Sequence, residues 1–345
     1  MQSLPRRANK KLSFWHKFRI NRRALISAQI FMGIFILSLF SELIANDKPF
    51  LVRFDGKWYF PLFNNYSELV FGGEFDLDTE YRDPLVAAMI EEKGWMLWPV
   101  IRYSYDTINY DLPSPAPSPP TKENILGTDD RGRDIAARLL YGFRISVLFG
   151  ITLTIFSSLI GIALGALQGY YGGLFDIIFQ RFIEIWSGMP TLFLLIILSS
   201  IIEPNFWWLL SITLIFSWMS LVGLVRAEFL RARNFEYVLA ARAMGMSNAR
   251  VMFVHILPNA LTSALSYLPF ILGGSITTLT SLDFLGFGLP IGSPSLGELL
   301  AQGKANLQAP WIGITVFVVL ALSLSLLVFI GEGIRDAFDP RSSGS

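Results

Sequence analysis

Residues 236–259 read EYVLAARAMGMSNARVMFVHILPN, a polar, arginine-bearing stretch set between apolar segments long enough to cross a bilayer. Asn234 is placed to cap a helix whose first turn carries Glu236, and Gly245 tolerates a left-handed conformation just past the helix end. Ser247 is placed to cap a second helix, which runs toward Pro258, where the missing N–H and the ring clash end or kink it. The spacing therefore predicts a helix of about three turns, a tight turn and a longer helix. On the first helix Tyr237, Ala240, Ala241 and Met244 recur at i, i+3, i+4 and i+7. They form an apolar face whose two alanine methyls allow another protein to approach closely. Such a face suits either a partner's groove or the surface of a membrane.

Hydrophobic residues make up 52% of the 345 residues and charged residues 16%, and the apolar ones fall in long blocks. That composition excludes an ordinary soluble globular domain and indicates an integral membrane protein lodged in a lipid bilayer. Six segments approach or exceed the roughly 20 apolar residues that cross a hydrocarbon core. Their limits are 25–45, 145–168, 183–202, 207–225, 259–283 and 311–331. Arg6, Arg7, Lys10, Lys11, Lys17, Arg19, Arg22 and Arg23 precede the first segment, the pattern of a cytoplasmic N-terminus rather than of a nucleic-acid arm. No small-residue cleavage site follows, so the segment is read as a retained span and not as a signal peptide.

The expected organisation is a basic cytoplasmic N-terminus at 1–24, a first span at 25–45 and an outer insert at 46–144. Spans two to six follow at 145–331, with the loop 226–258 inside, and a cytoplasmic C-terminus at 332–345. Arg226, Arg231, Arg233, Arg242 and Arg250 in the inner loop agree with this orientation. The insert is too rich in aromatics for a disordered tether, so 46–112 is read as an ordered subdomain. DLPSPAPSPP at 111–120 is expected to be an extended spacer.

Several chemistries are excluded. No G-x-x-x-x-G-K-[ST] sequence is present to cradle ATP phosphates. His16 and His255 are the two histidines and there is no cysteine, so no H-E-x-x-H metal site, histidine triad or disulfide forms. His255 is read as a polar residue packed at the loop boundary. Carboxylates within spans are costly and so draw notice. Glu184 is either a path residue or the partner of Arg181 in a helix-end ion pair. Asp283 ends a span bearing Ser275 and Thr278, whose small and hydroxylated faces fit tight helix packing or a water-lined path. Asp283 itself either lines that path or caps the FLGFGLP segment that follows.

The 236–259 loop resembles the EAA loop of permease subunits in ATP-binding cassette importers, with Glu236, Ala240, Ala241, Gly245 and the ending HILPN spaced as in the oligopeptide/dipeptide branch. LGTDDRGRDIAARLLYGFRIS at 126–146 resembles the pattern through which that branch enters its second span. From the residues alone, Thr128 or Asp129 can cap a helix there, and the alternating charges suit a solvated interfacial face. PSLGELL at 294–300, APW at 309–311 and GEGIRDAFDPR at 331–341 extend the likeness over about two thirds of the chain. The insert, with ELIANDKPFLVRFDGKWYFPLF at 42–63, is similar to that of the Yej-type permeases of peptide and microcin C importers. One departure lies in the fifth span, where many oligopeptide permeases carry Glu and this chain has Leu279, with Asp283 about one turn further on.

The resemblance implies an all-α fold of six transmembrane helices, the type I importer permease, in a bacterial inner membrane. It also implies that the helix from Glu236 to Gly245, with Tyr237, Ala240, Ala241 and Met244, couples to an ATPase. The expected partners are that ATPase, a homologous second permease and a periplasmic peptide-binding protein, with no nucleic acid. The chain itself is expected to bind no cofactor and no metal and to catalyse nothing, ATP and Mg being held by the partner ATPase. A permease for nickel or another small solute would share these motifs, and a six-span receptor or enzyme is the alternative of another class.

In this cysteine-free chain, single cysteines at Ser67 and Asn248 are expected to label from opposite sides of the membrane. Labelling of both by a membrane-impermeant maleimide from one side would sink the six-span order.

Overall fold

A computed structural model describes residues 14–338 apart from 200 and 203. Arg6, Arg7, Lys10 and Lys11 of the basic leader, and Asp339, Pro340 and Arg341 of the closing motif, lie outside the described residues. A short helix, α1 (Phe14–Ile20), precedes α2 (Arg22–Leu39), and α3 (Ser41–Ile44) follows. The Asn21 side chain caps α2 by accepting from the Ala24 N–H at 3.2 Å.

The insert that follows is ordered, and it adds a small sheet to an otherwise helical chain. Strands β1 (Leu51–Phe54) and β2 (Lys57–Tyr59) are joined by Asp55 and Gly56, both at positive φ, the geometry of a two-residue hairpin turn. After helix α4 (Pro84–Lys93), capped by Asp83, strand β3 (Gly94–Leu97) returns along the other edge of β1. The order is β2-β1-β3, both pairs antiparallel, with Val52 opposite Tyr59 on one side and Met96 on the other. The aromatics that marked this region in the sequence close its core: Phe54, Phe71 and Tyr81 pack with Val52, Val86 and Ile90. The proline-rich stretch is not a free spacer. Ser118 N–H donates to the Thr128 hydroxyl and Ser118 C=O accepts from the Thr128 N–H, which folds the stretch back onto the next helix's approach.

The membrane region comprises α5 (Ile135–Tyr171), α6 (Gly173–Ser187), α7 (Thr191–Ser199), α8 (Phe206–Ser217), α9 (Met219–Ala232), α10 (Glu236–Ala243), α11 (Asn248–Arg250), α12 (Leu257–Phe284), α13 (Leu296–Ala305) and α14 (Pro310–Phe338). Among the described residues five helical stretches are long and apolar enough to cross a membrane: Arg22–Leu39, Ile135–Tyr171, Phe206–Ala232, Asn248–Phe284 and Pro310–Phe338. The span expected at 183–202 is instead broken between α6 and α7, where Pro190 disfavours a helical conformation at Met189. The span expected from 145 starts at Ile135, because Arg138 and Arg144, which lower the local hydropathy, both have carboxylate partners.

The 37 residues of α5 make a rod of about 55 Å, and the other spans pack around it. Its face toward α9 carries Gly161, Gly165 and Gly169, one per turn. A Cβ at these positions would lie 2.5, 2.8 and 2.5 Å from the carbonyl oxygens of Trp218, Val222 and Arg226. This is the small-xxx-small device by which helices in lipid bring their backbones together. The joint between α8 and α9 lies at one end of this seam. There the Ile215 carbonyl accepts the indole N–H groups of Trp218 at 2.7 Å and Trp186 at 3.2 Å.

Alanine normally stabilises a helix over glycine by about 0.5–1 kcal/mol. At Gly161 the clash opposes that gain, and overpacking of this kind costs about 1–3 kcal/mol. Gly161→Ala is therefore expected to lower the thermal midpoint of the purified protein. Gly223→Ala, where the added methyl meets nothing within 4 Å, should leave it unchanged or raise it.

Candidate functional site

The loop between α9 and α12 folds as two helices about a tight turn. Gly245 has φ +77°, its N–H donates to Arg242 C=O at 2.9 Å, and Met246 N–H donates to Ala241 C=O at 3.2 Å. These two bonds form the Schellman arrangement, and they require the left-handed conformation glycine adopts without strain. The Ser247 hydroxyl caps α11 by accepting from Arg250 N–H. One local expectation fails: Phe235, not Asn234, occupies the N-cap of α10, without a side-chain bond. Of the two outcomes expected at Pro258, an end or a kink, the helix does not end: residues 251–256 wind as a π-helix and the chain stays helical to Phe284. A wide π turn can accommodate the missing proline N–H. His255 lies at the boundary, its Nε2 3.4 Å from the Met246 sulfur.

The inner face of α10 is Val238 and Ala241, both buried in a cluster with Ala166 and Tyr170 of α5, Phe229 of α9, and Val251 and Ile256. Ala241 therefore is not on a free face, which corrects the sequence-based assignment: its methyl is consumed by packing within the chain. The outward face is rotated by one residue, about 100°. It carries Glu236, Leu239, Ala240 and Ala243, with Tyr237 and Met244 exposed at its shoulders. Side-chain bonds tie the unit to its spans. Tyr170 donates to the Asn248 side chain at 2.8 Å, Arg242 lies over the Tyr170 ring, and Asn259 donates to the Tyr237 hydroxyl at 3.3 Å.

At the opposite end of α5 the LGTD segment is not a solvated charge run. Asp129, Arg133 and Arg138 are buried and meet Glu298 of α13. Arg138 donates to Glu298 at 2.9 Å, to Ser293 C=O and to Tyr105 C=O, with its Nε 3.5 Å from Asp129. Two cations and two carboxylates balance, which is what allows burial at all. Neither Thr128 nor Asp129 caps α5; Asp134 does, accepting from Ala137 N–H at 2.8 Å. Burial pushes the Asp134 carboxyl above the ordinary carboxylate range, against the lowering effect of the Asn124 and Ala137 donors. Arg138 and Glu298 lie 160 residues apart, and no local pattern announces their meeting.

The candidate path residues are not gathered in one place. A cavity of about 380 Å³ opens between α7, α8 and α12, lined by Leu195, Phe216 and Leu282 together with the hydroxyl-bearing residues Thr191, Thr213, Ser217, Thr277, Thr278 and Ser281. Thr278 is part of it; Ser275, Glu184 and Asp283 are not. Ser275 is buried and bonded to Ile271 C=O. Glu184 is paired with Arg181 at 2.5 Å on the exposed side of α6. Asp283 accepts from Leu289 N–H at 2.7 Å and from the Ser295 hydroxyl, so its carboxylate holds the turn between α12 and α13.

Residues 139–344 match the family described as the binding-protein-dependent transport system inner membrane component. The chain belongs to that family: it is a permease subunit of the ATP-binding cassette importer class and a multi-pass protein of the inner membrane. It is 62% identical over 329 residues to the inner membrane ABC transporter permease protein YejE of Escherichia coli (strain K12), covering 95% of this chain and 96% of that one. It is 54% identical over 353 residues to the peptidoglycan transport system permease protein YejE of Agrobacterium fabrum, covering 95% and 92%. Among solved structures, its fold is similar to a chain of the inward-facing MetNI methionine ABC transporter in the CY5 native crystal form. The TM-score is 0.50 at 18% identity, over 59% of this chain and 98% of that one.

Two neighbouring alanines in α10 are expected to behave oppositely. Ala241→Asp buries an unpaired charge and should destabilise the inner loop by several kcal/mol, on the order expected for a charge without a partner. Ala240→Asp, on the exposed face, should leave the thermal midpoint within error. Gly245→Val forces a β-branched residue to positive φ, a strain of about 1–3 kcal/mol, and should lie between them.

Proposed function

We propose that this permease is one half of a heterodimeric channel that carries peptides or peptide-bearing compounds, microcin C among them, from periplasm to cytoplasm. A partner ATPase, which binds ATP and Mg, drives it; a periplasmic binding protein delivers the cargo; and a homologous permease covers the hydroxyl-lined cavity. The termini and the 226–258 loop lie in the cytoplasm and the insert in the periplasm. The cargo class rests on the oligopeptide-type motifs and on the similarity to the Agrobacterium fabrum peptidoglycan transport system permease, peptidoglycan being a peptide-bearing polymer.

The observation that carries the reading is the seating of α10. Val238 and Ala241 lock it to the ends of α5, α9 and the 251–260 segment, while Glu236, Leu239, Ala240 and Met244, with the exposed ring of Tyr237, face outward for a partner's groove. A push on that free face moves the packed spans as a body, because a close-packed cluster transmits displacement rather than absorbing it. The cavity offers this cargo hydroxyl oxygens and no charge. Thr213, Ser217, Thr277 and Thr278 donate their protons to their own helices, leaving oxygen lone pairs for passing N–H groups. Thr278 is the path residue we retain.

The test uses the assembled transporter in proteoliposomes. Ala240→Asp is expected to assemble normally and to lose cargo-stimulated ATP hydrolysis and peptide uptake; unchanged stimulation would overturn the coupling role. Cells carrying the variant should also resist microcin C, and full sensitivity would remove that compound from the cargo.

A further inference from the structure

The insert carries a cleft of about 390 Å³ lined from α4, β3, residues 98–103 and residues 122–123. That volume lies at the lower end of the range of small-molecule sites. Its cations are Arg82, Arg102 and Lys122 and its carboxylates Glu91 and Glu123, and none of the five is in an ion pair among the described residues. Two of the cations are positioned by rings. The Arg82 guanidinium lies 3.9 Å from the centroid of Tyr103, and that of Arg102 lies 5.5 Å from the centroid of Trp98. A guanidinium laid over a ring keeps its in-plane N–H groups free, and that fork matches a carboxylate in bidentate fashion.

A second observation concerns the carboxylates of the cleft. Burial pushes the Tyr103 phenol up to about 12, so it is protonated at neutral pH, and it donates to Glu123 at 3.2 Å. Glu91 has no such donor among the described residues, which leaves it as the carboxylate open to an incoming cation.

We propose that this cleft binds a small zwitterion, its carboxylate held by Arg82, Arg102 and Lys122 and its ammonium facing Glu91. The site is built from the insert's own residues and is independent of what crosses the channel. The acidic loop of a partner protein would satisfy the cations but leave Glu91 without a counter-charge.

The full-length protein in nanodiscs, titrated calorimetrically with alanylalanine, its C-terminal amide and its N-acetyl form, decides the matter. Alanylalanine is expected to bind, the amide to bind at least roughly tenfold more weakly, and the acetylated form to lose a smaller factor. Arg102→Gln, at an exposed position, should weaken alanylalanine binding roughly tenfold while leaving the thermal midpoint unchanged. Lys122→Gln, also exposed, should do the same and serves as the second deciding variant. No binding at millimolar concentration, equal affinity for acid and amide, or wild-type affinity in both variants would overturn the site. Transport is not the readout, so a failure of the peptide-import reading leaves this outcome unaffected.

Discussion

At Gly161, Gly165 and Gly169 the backbone of α5 lies against the carbonyls of Trp218, Val222 and Arg226 with no room for a methyl group between them. Within a bilayer no water is expelled when two apolar helices meet, so association depends on van der Waals contact, and contact depends on how closely the backbones approach. This seam joins the 37-residue helix α5 to the helix that leads into the 233–256 loop. Everything that must move together, or be held apart, is referred to that joined pair.

The ends of α5 are fastened by different physics. At the N-terminal end a balanced quartet of Asp129, Arg133, Arg138 and Glu298 binds the approach segment, α5 and α13. Losing one member leaves a buried charge unpaired, which costs far more than the pair contributes in place, so the quartet acts as a clamp on geometry rather than as a source of stability. At the C-terminal end the fastening is apolar: Ala166 and Tyr170 of α5 share a cluster with Val238 and Ala241 of α10. One helix is thus held by a polar clamp at one end and a close-packed joint at the other.

The cavity between α7, α8 and α12 fits this picture through what its hydroxyls are already doing. Serine and threonine hydroxyls bonded to carbonyls of their own helices are satisfied within the chain, so the lining presents no unpaired hydroxyl proton at these positions. The broken α6–α7 segment borders the same space, and Pro190 supplies the break. Asp283, which a scan for intramembrane charge would place in such a path, is spent on the α12–α13 turn.

The apolar blocks, the basic leader and the arginine-rich inner loop were readable because hydropathy and charge belong to single segments. Gly245 and Ser247 were readable for the same reason: a left-handed cap and an N-cap are made by neighbours in the chain. The glycine repeat at 161, 165 and 169 is also a local pattern and could have been found as small-xxx-small. What no segment could reveal is which neighbour each side chain meets. Ala240 and Ala241 are identical residues side by side, and packing against α5 and α9 alone makes one a buried anchor and the other a free contact. The early start of α5 at Ile135 depends in the same way on Arg138 finding Glu298 across 160 residues. Composition and local backbone chemistry determined that this chain spans a membrane and turns at Gly245. Burial and ion pairing between distant segments, being properties of pairs, were decided by the tertiary structure.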